Sequence, residues 1–248
     1  MQGLQPTLSI VIPAYNEERR LPASLARIQA FLSARGGVNE VLVVDDGSTD
    51  LTPSIVQDRQ LTWPALRLIR NGENRGKGYS VRHGMLEAHG EIALFTDADL
   101  SSPIEEAEKL LASLETHDVA IGSRALDRRA IEVHQSPLRE WAGILFNFLA
   151  RLILGIRFED TQCGFKAFRL AQAQIVFSQQ KIQDFGFDPE ILFLCQKYGL
   201  QVAEVSVRWA HDPATKVHVY RDSALMFFDL LKIRWNWARG VYMEQPPQ

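Results

Sequence analysis

Along the first half of the chain, apolar residues fall in short continuous runs, separated by stretches with a helical period. Leu8 to Ala14 (LSIVIPA) reads as a buried strand ending near Pro13, and EERRLPASLARIQAFLSARGG carries a helical stripe closed by Gly36 and Gly37. NEVLVVDDGSTD is a second buried strand running into a turn, and LTPSIVQDRQ a short helix for which Asp50 or Thr52 is the cap. ALRLIRN is a third strand, GKGYSVRHGMLEAHG a helix entered through glycine, and EIALFTDADL a fourth strand. SPIEEAEKLLASLETH has Ser102 as cap and Pro103 at the first helical position, and DVAIGSR is a fifth strand. Strands that read as unbroken apolar runs need cover on both faces. Alternating with helices, they predict an α/β fold with a mostly parallel, Rossmann-like sheet flanked by helices.

The second half is less regular. WAGILFNFLARLILGI, Trp141 to Ile156, is apolar over a wide face but interrupted by Asn147 and Arg151. FEDTQCGFKAFRL follows, then a short helix near Ala171 to Ser178 and another from about Asp188 to Tyr198. QVAEVSVRWA alternates like an edge or antiparallel strand. DSALMFFDLLKIRWNWARG is a final amphipathic helix ending at Gly240, and MEQPPQ reads as a tail. No linker or repeat divides residues 1–248, so the expectation is a single domain. Its halves span about 8–125 and about 126–240, with a tail at 241–248.

Composition narrows the class. Of 248 residues, 46% are apolar and 23% charged, an ordinary globular balance that can fill a core. A net charge of −3 speaks against a nucleic-acid binder. The two cysteines, Cys163 and Cys195, have no metal-type spacing and fit a reducing compartment. The opening residues lack the basic start and long apolar stretch of a secretory signal. No window of about 20 uncharged apolar residues occurs. The expectation is a cytoplasmic protein without a transmembrane helix.

In open α/β sheets, ligands bind beyond the carboxyl ends of the strands. Three polar motifs fall there: PAYNEE after the first strand, DDGSTD after the second and DADLSS after the fourth. Each alone is ordinary turn chemistry, but all three at one edge make a polar rim around one cleft. Asp97 and Asp99, separated only by Ala98, put two like charges at the end of a buried strand. That arrangement needs a cation. Hard divalent ions take carboxylate oxygens, and Mg²⁺ commonly combines one or two carboxylates with substrate phosphates. Asp97 and Asp99 are therefore candidate ligands for Mg²⁺ or Mn²⁺ bridging a diphosphate. NGENRGKGYSVRHG is too irregular for a Walker loop, but a helix N-terminus beside Lys77 favours an anion.

SIVIPAYNEE, VLVVDDGSTD, NRGKGYSVRHG and FTDADLSSP, in this order, resemble the family-2 glycosyltransferases of the GT-A fold. GSR, DTQCGFKAF, FGFDPEILFL, VAEVSVRW and RDSALMFFDLLKIR resemble the dolichyl-phosphate β-glucosyltransferase branch. The resemblance implies an inverting transfer of a hexose from a nucleotide sugar, UDP-glucose favoured, to a polyprenyl phosphate. It implies that Pro13, Ala14, Tyr15 and Glu17 line the nucleotide site and that Asp45 or Asp46 contacts the uracil or ribose. Lys77 would lie near the nucleotide, and Asp97 and Asp99 would form the metal motif. Arg124 and Arg139 would grip the acceptor phosphate, Asp160 and Gln162 would lie where sugar and acceptor meet, and Lys216 would bind the diphosphate. Ser101 stands where related mannosyl enzymes carry glutamine, and ATK stands where a serine–lysine pair is common. These departures leave the third metal ligand open.

A phosphate monoester is largely dianionic at neutral pH and needs no base, only orientation and charge screening. Arg124, Arg128, Arg129 and Arg139 cluster between Gly122 and Trp141 and suit that task. An acceptor embedded in a bilayer requires a membrane-facing surface. The two amphipathic helices, with Trp141 on one and Phe227, Phe228, Trp235 and Trp237 beside basic residues on the other, suit peripheral attachment to the cytoplasmic face. The alternative for both is packing on the sheet or in a homodimer interface. Rival functions are mannosyl transfer from GDP-mannose, transfer to a lipid or polysaccharide hydroxyl, and nucleotide-sugar binding without turnover.

Overall fold

The computed structural model describes residues 5–133, 137–210 and 219–242, without the side chains of 137–139 and 219–222. Its centre is a seven-stranded sheet. The strands are β1 (Leu8–Ala14), β2 (Asn39–Asp45), β3 (Leu66–Arg70), β4 (Ile92–Thr96), β5 (Val119–Ser123), β7 (Phe165–Arg169) and β8 (Val202–Ser206), in the order β3-β2-β1-β4-β7-β5-β8. Around them pack α1 (Leu21–Arg35), α2 (Thr52–Gln60), α3 (Lys77–Glu87), α4 (Ala107–Ser113), α5 (Pro137–Leu154), α6 (Leu170–Gln179), α7 (Phe187–Lys197) and α8 (Val219–Ala238). β6 (Ile131–Val133) and β9 (Trp209–Ala210) form a separate two-stranded parallel ladder.

The unbroken apolar strands are explained by this layering. Val11, Leu42, Val44 and Phe95 face one core, shared with α3, α5, α6, α7 and α8. Ile10, Ile12, Val41, Val43 and Leu94 face the other, against α1, α2 and α4. Fully burying each such side chain contributes about 1.5–3 kcal/mol.

Several expectations change. β7 runs antiparallel to both neighbours, β4 and β5, and carries a charged residue, Lys166, near its start. QVAEVSVRWA is an edge strand, but β8 runs parallel to β5, and Trp209–Ala210 turn away to pair with Ile131–Val133. Ser102 does not cap the following helix. Its Oγ is buried beside the Cys163 sulfur, and the segment opens with a turn of 3₁₀ helix at Ile104–Glu106. Asp50 does serve the next helix, accepting from the Thr52 amide at 2.9 Å. Tyr242 is buried and donates to Glu190 at 2.6 Å, while 243–248 lie outside the described residues.

Candidate active site

The PAYNEE and DDGSTD loops and the NRGKG segment are fastened into one rim. The Asn16 amide donates to Ser48 Oγ at 2.9 Å, and the Glu17 amide to Thr52 Oγ1 at 2.7 Å, tying PAYNEE to DDGSTD. Asp46 accepts from Asn71 Nδ2 (2.7 Å), the Arg75 amide (3.0 Å) and the Gly76 amide (2.9 Å), tying DDGSTD to NRGKG. Gly47, at φ +75°, lies so close to the same loop that a Cβ there would meet the Glu73 carbonyl carbon at 2.6 Å. Asp45 is also buried, accepting from the Ser48 amide at 3.1 Å and from Arg70 Nε at 3.4 Å. Both aspartates expected at the base or ribose thus spend their oxygens on loop architecture. Ala14 is buried and Pro13 partly so, while Tyr15 lies open at the rim.

The charge problem of Asp97 and Asp99 has a local answer. Lys77, from the first turn of α3, sits 2.5 Å from Asp97 Oδ1. Burial disfavours the Lys77 charge, but Asp97, then Asp188 and Asp99, raise its pKa above the ordinary lysine value. Arg20 reaches Asp99 at 3.6 Å while holding Glu17 in a two-pronged pair at 2.6 Å. Leu100 closes the turn in the left-handed region, φ +49°, and its amide donates to the Asp97 carbonyl at 3.1 Å. A non-glycine residue held there marks a loop fixed by its surroundings. On the other side, Gly164 lies so close that a Cβ there would meet the Asp97 carboxylate at 2.3 Å and displace it.

Burial and then the neighbouring Asp97 charge push the Asp99 carboxyl above its ordinary range. No group of three or more His, Cys, Asp or Glu converges as a metal cage among the described residues. Two carboxylates without further protein ligands fit Mg²⁺ or Mn²⁺, which complete their shells with phosphate oxygens and water.

The second charged centre lies at the end of β5. Asp160, almost fully buried, accepts from Arg124 Nε at 2.6 Å, Nη2 at 2.8 Å and the backbone amide at 3.0 Å. Burial alone would raise the Asp160 pKa, but the Arg124 guanidinium overrides it and holds the carboxyl at about 2. The Gln162 amide adds a bond to Asp160 at 3.1 Å. Arg124 lies over the Trp209 ring, 5.4 Å from its centroid. These groups line one end of a cleft of about 290 Å³, with Arg128, Glu140 and Asn147 among the polar walls and Ile131 and Ile144 among the apolar ones. Arg128 pairs with Glu140 at 2.5 Å. Of the arginine cluster, Arg129 is exposed, Arg139 falls in α5 with its side chain outside the description, and Lys216 lies outside the described residues.

The sequence reading missed Arg20, Asn147, Lys166 and Trp209. Arg20 had a signal, its three-residue offset from Glu17 in NEERR. Asn147 was read only as an interruption in an apolar helix, yet its Oδ1 accepts from the Thr161 amide (3.0 Å) and Oγ1 (2.7 Å), fixing the turn beside Asp160.

α5 and α8 pack together, and each is two-faced. Phe146, Ala150 and Leu154 of α5, and Met226, Leu230 and Ile233 of α8, enter the core. Trp141, Leu145, Phe148 and Leu152 of α5, and Leu225, Phe228 and Trp235 of α8, are exposed. Trp237 instead packs edge-on against Phe193 in the core. Among the described residues, no helix is long and apolar enough to cross a membrane.

A family model described as glycosyl transferase family 2 matches residues 9–173, a stretch containing the rim, Asp97, Asp99, Arg124 and Asp160. The chain belongs to that family. Similar relatives include dolichyl-phosphate beta-glucosyltransferase of Drosophila melanogaster, 38% identical, with 95% of this chain and 76% of the relative covered. Those of Saccharomyces cerevisiae (35%, covering 96% and 77%) and Homo sapiens (33%, covering 95% and 77%) carry the same name. Among solved structures, glucosyl-3-phosphoglycerate synthase from Mycobacterium tuberculosis with UDP superposes at a TM-score of 0.67, with 20% identity, covering 93% of this chain and 80% of that one. A complex of the same enzyme with Mn²⁺, UDP and glucosyl-3-phosphoglycerate gives 0.65, with 19% identity, covering 98% and 82%. These likenesses establish the fold: a family-2 transferase with the GT-A sheet that the sequence predicted.

Proposed function

We propose that this family-2 transferase moves glucose, with inversion, from UDP-glucose to a polyprenyl (dolichyl) phosphate at a membrane surface. The observation that carries this reading is the state of Asp160. A hydroxyl acceptor needs a base with a pKa near the working pH. Asp160 is held at about 2 by Arg124, and Glu140, the other carboxylate in the cleft, is paired with Arg128. A nucleophile that arrives already ionised suits such a cleft. A phosphate monoester is one, and two arginines beside an apolar wall suit a phosphate on a hydrocarbon chain. The names of the relatives point the same way.

In this reading Pro13, Ala14, Tyr15 and Glu17 line the nucleotide, while Asp45 and Asp46 hold the loops that shape its base and ribose pocket. Asp97 and Asp99 hold Mg²⁺ or Mn²⁺, a reading supported by the fold neighbour solved with Mn²⁺ and UDP. A divalent ion there supplies charge screening for the departing diphosphate. Lys77, which rests on Asp97, is placed to turn its ammonium toward that diphosphate, and Lys216 joins it from the 211–218 segment. Arg124, Arg128 and Arg139 receive the acceptor phosphate, and Asp160 with Gln162 orients Arg124 and the sugar. The half of the domain at about 8–125 serves the donor and the half at about 126–240 the acceptor. The exposed apolar faces of α5 and α8 lie on the cytoplasmic surface of a bilayer.

The test is a donor and acceptor screen. UDP-glucose, GDP-mannose and other nucleotide sugars are each offered with a short polyprenyl phosphate or with the matching free alcohol. The expected result is a glucosyl phospholipid from UDP-glucose and the phosphate alone. Glucosylation of the alcohol at a comparable rate overturns the acceptor, and preference for GDP-mannose overturns the donor.

A further inference from the structure

Lys166 is the second residue of β7 and fully buried, facing Phe95 of β4 in the antiparallel register. Its ammonium lies over the Phe95 ring, 5.4 Å from the centroid, two residues before Asp97. It donates to the Cys163 carbonyl at 2.6 Å and pairs with Asp188, itself buried in the first turn of α7. A buried lysine on a central strand is costly, and a leucine or phenylalanine would pack there without the charge. Stability alone gives no reason for this pair.

Its location does give one. The five residues 160–164 form a single turn between the two charged centres of the site. At one end Asp160 holds Arg124, and at the other Gly164 lies against the Asp97 carboxylate. The Cys163 carbonyl between them is the atom that Lys166 fixes. Asp188 extends the link to the donor rim. Its neighbour Phe187 lies so close to Gly78 that a Cβ on the glycine would meet Phe187 Cβ at 2.6 Å, and Lys77 immediately precedes Gly78. Along this path charges alternate: Asp97, Lys77, Asp188, Lys166, Asp160, Arg124.

We propose that Lys166, acting with Asp188 on the 160–164 turn, is a positioning residue that sets the spacing between the metal-binding carboxylates and the acceptor-binding arginine. The proposal rests on the two-substrate reading above. Transfer requires the reacting atoms to approach within about 3–3.5 Å in line, and a misplacement of about 1 Å costs on the order of 10²-fold in rate. A turn fixed from inside by a charge-assisted bond holds that spacing more firmly than apolar packing does. Lys166 is fully buried and offers neither substrate a surface, so its loss affects alignment and leaves each binding site formed.

The experiment separates alignment from folding. Lys166→Met leaves Asp188 buried without its partner and lowers the melting temperature. The double variant Lys166→Met/Asp188→Leu removes both charges and recovers that stability. Each protein is assayed with UDP-glucose, Mn²⁺ and a short polyprenyl phosphate, scoring glucosyl lipid and free glucose separately, while calorimetry measures UDP·Mn²⁺ binding. The expected result for the double variant is near-wild-type melting and UDP affinity, an acceptor KM within about threefold, and kcat for transfer lower by about 30-fold or more. The ratio of hydrolysis to transfer should rise, because water tolerates a misaligned site better than a tethered phosphate does. Recovery of kcat together with stability overturns the proposal and makes the pair purely structural. Failure of the two-substrate reading looks different, since wild type itself would then form no glucosyl lipid.

Discussion

Replacing Asp160 with asparagine is the sharpest test of how the acceptor end works. The wild-type carboxylate accepts three bonds from Arg124 and one from the Gln162 amide. A carboxyl held at about 2 instead of 3.8 favours its ionised form in the fold by roughly 2–3 kcal/mol. Asparagine loses that and also leaves Arg124 partly buried without its counter-charge, which brings the expected cost to about 3–5 kcal/mol at neutral pH. The sign follows from the depressed value. The Asp160 contribution is complete above the unfolded value of 3.8 and is lost as pH falls through about 2. The gap between wild type and Asp160→Asn, read by urea unfolding at fixed pH, should be constant from pH 5 to 7. By pH 3 the ionisation part should fall to about half. In activity the variant should keep a residual rate. An acidic limb near pH 6 should persist in it, because that limb belongs to the second ionisation of the acceptor phosphate, at about 6. A stability gap independent of pH would refute the ion-pair account. Loss of the acidic limb with collapse of the rate would show that Asp160 is a base, and a hydroxyl acceptor would replace the phosphate.

Three further outcomes can be checked directly. EDTA should abolish turnover and Mg²⁺ or Mn²⁺ restore it, and Asp99→Asn should lower kcat by about 10²-fold or more, measured at saturating UDP-glucose. Full activity of Asp99→Asn in chelator would dismiss the metal. Substituting Leu145, Phe148 and Leu152 of α5 with serine should leave the melting temperature nearly unchanged, since all three are exposed. Co-sedimentation with anionic vesicles should weaken, and unaltered sedimentation would move the contact to α8 or elsewhere. Glu190 is fully buried, and burial raises its carboxyl to about 7 from 4.5. The neutral form is therefore favoured in the fold, and stability is lost as pH rises from 4.5 through about 7. Relative to Glu190→Gln, wild type should lose about 3 kcal/mol between pH 4.5 and 8, and parallel curves would contradict this.

What the sequence made legible, and what it hid, follows from the range of the interactions. The strands from β1 to β5 were readable because burial on both faces demands continuous apolar runs, and Asp97 and Asp99 because a strand that ends in two charges contradicts its own burial. β7 was not readable as antiparallel. Its direction is set by where its ends are tied, by Lys166 to Asp188 at 22 residues' distance and by the 160–164 turn to Arg124, not by any local period. The β6–β9 ladder joins segments about eighty residues apart, and Trp209 enters the cleft only through it. Arg124 and Asp160 were each visible as candidate site residues, but their mutual pairing was not. That pairing changes what both can do: one becomes a poor base, the other an arginine with its fork already oriented.

This pairing suggests a general division among the acidic residues of the site. Asp45, Asp46 and Glu17 have their oxygens engaged by backbone amides or arginine side chains, and each of those bonds joins one rim loop to another or closes a loop on itself. They form the rim, and replacing them should damage shape before chemistry. Asp160 is engaged as well, but with a cation that itself faces the cleft, so it works through Arg124. Asp97 and Asp99 differ from all of these. Asp97 meets one lysine on one oxygen, Asp99 accepts from the Ser101 amide at 2.9 Å and meets an arginine only at 3.6 Å, and burial, then the Asp97 charge, pushes the Asp99 carboxyl up. Two such carboxylates side by side suit the divalent cation proposed above. The same comparison explains why Lys77 rests on Asp97 rather than deeper in the fold. In the proposed reading, a metal taken up by Asp97 and Asp99 would free the Lys77 ammonium for the diphosphate.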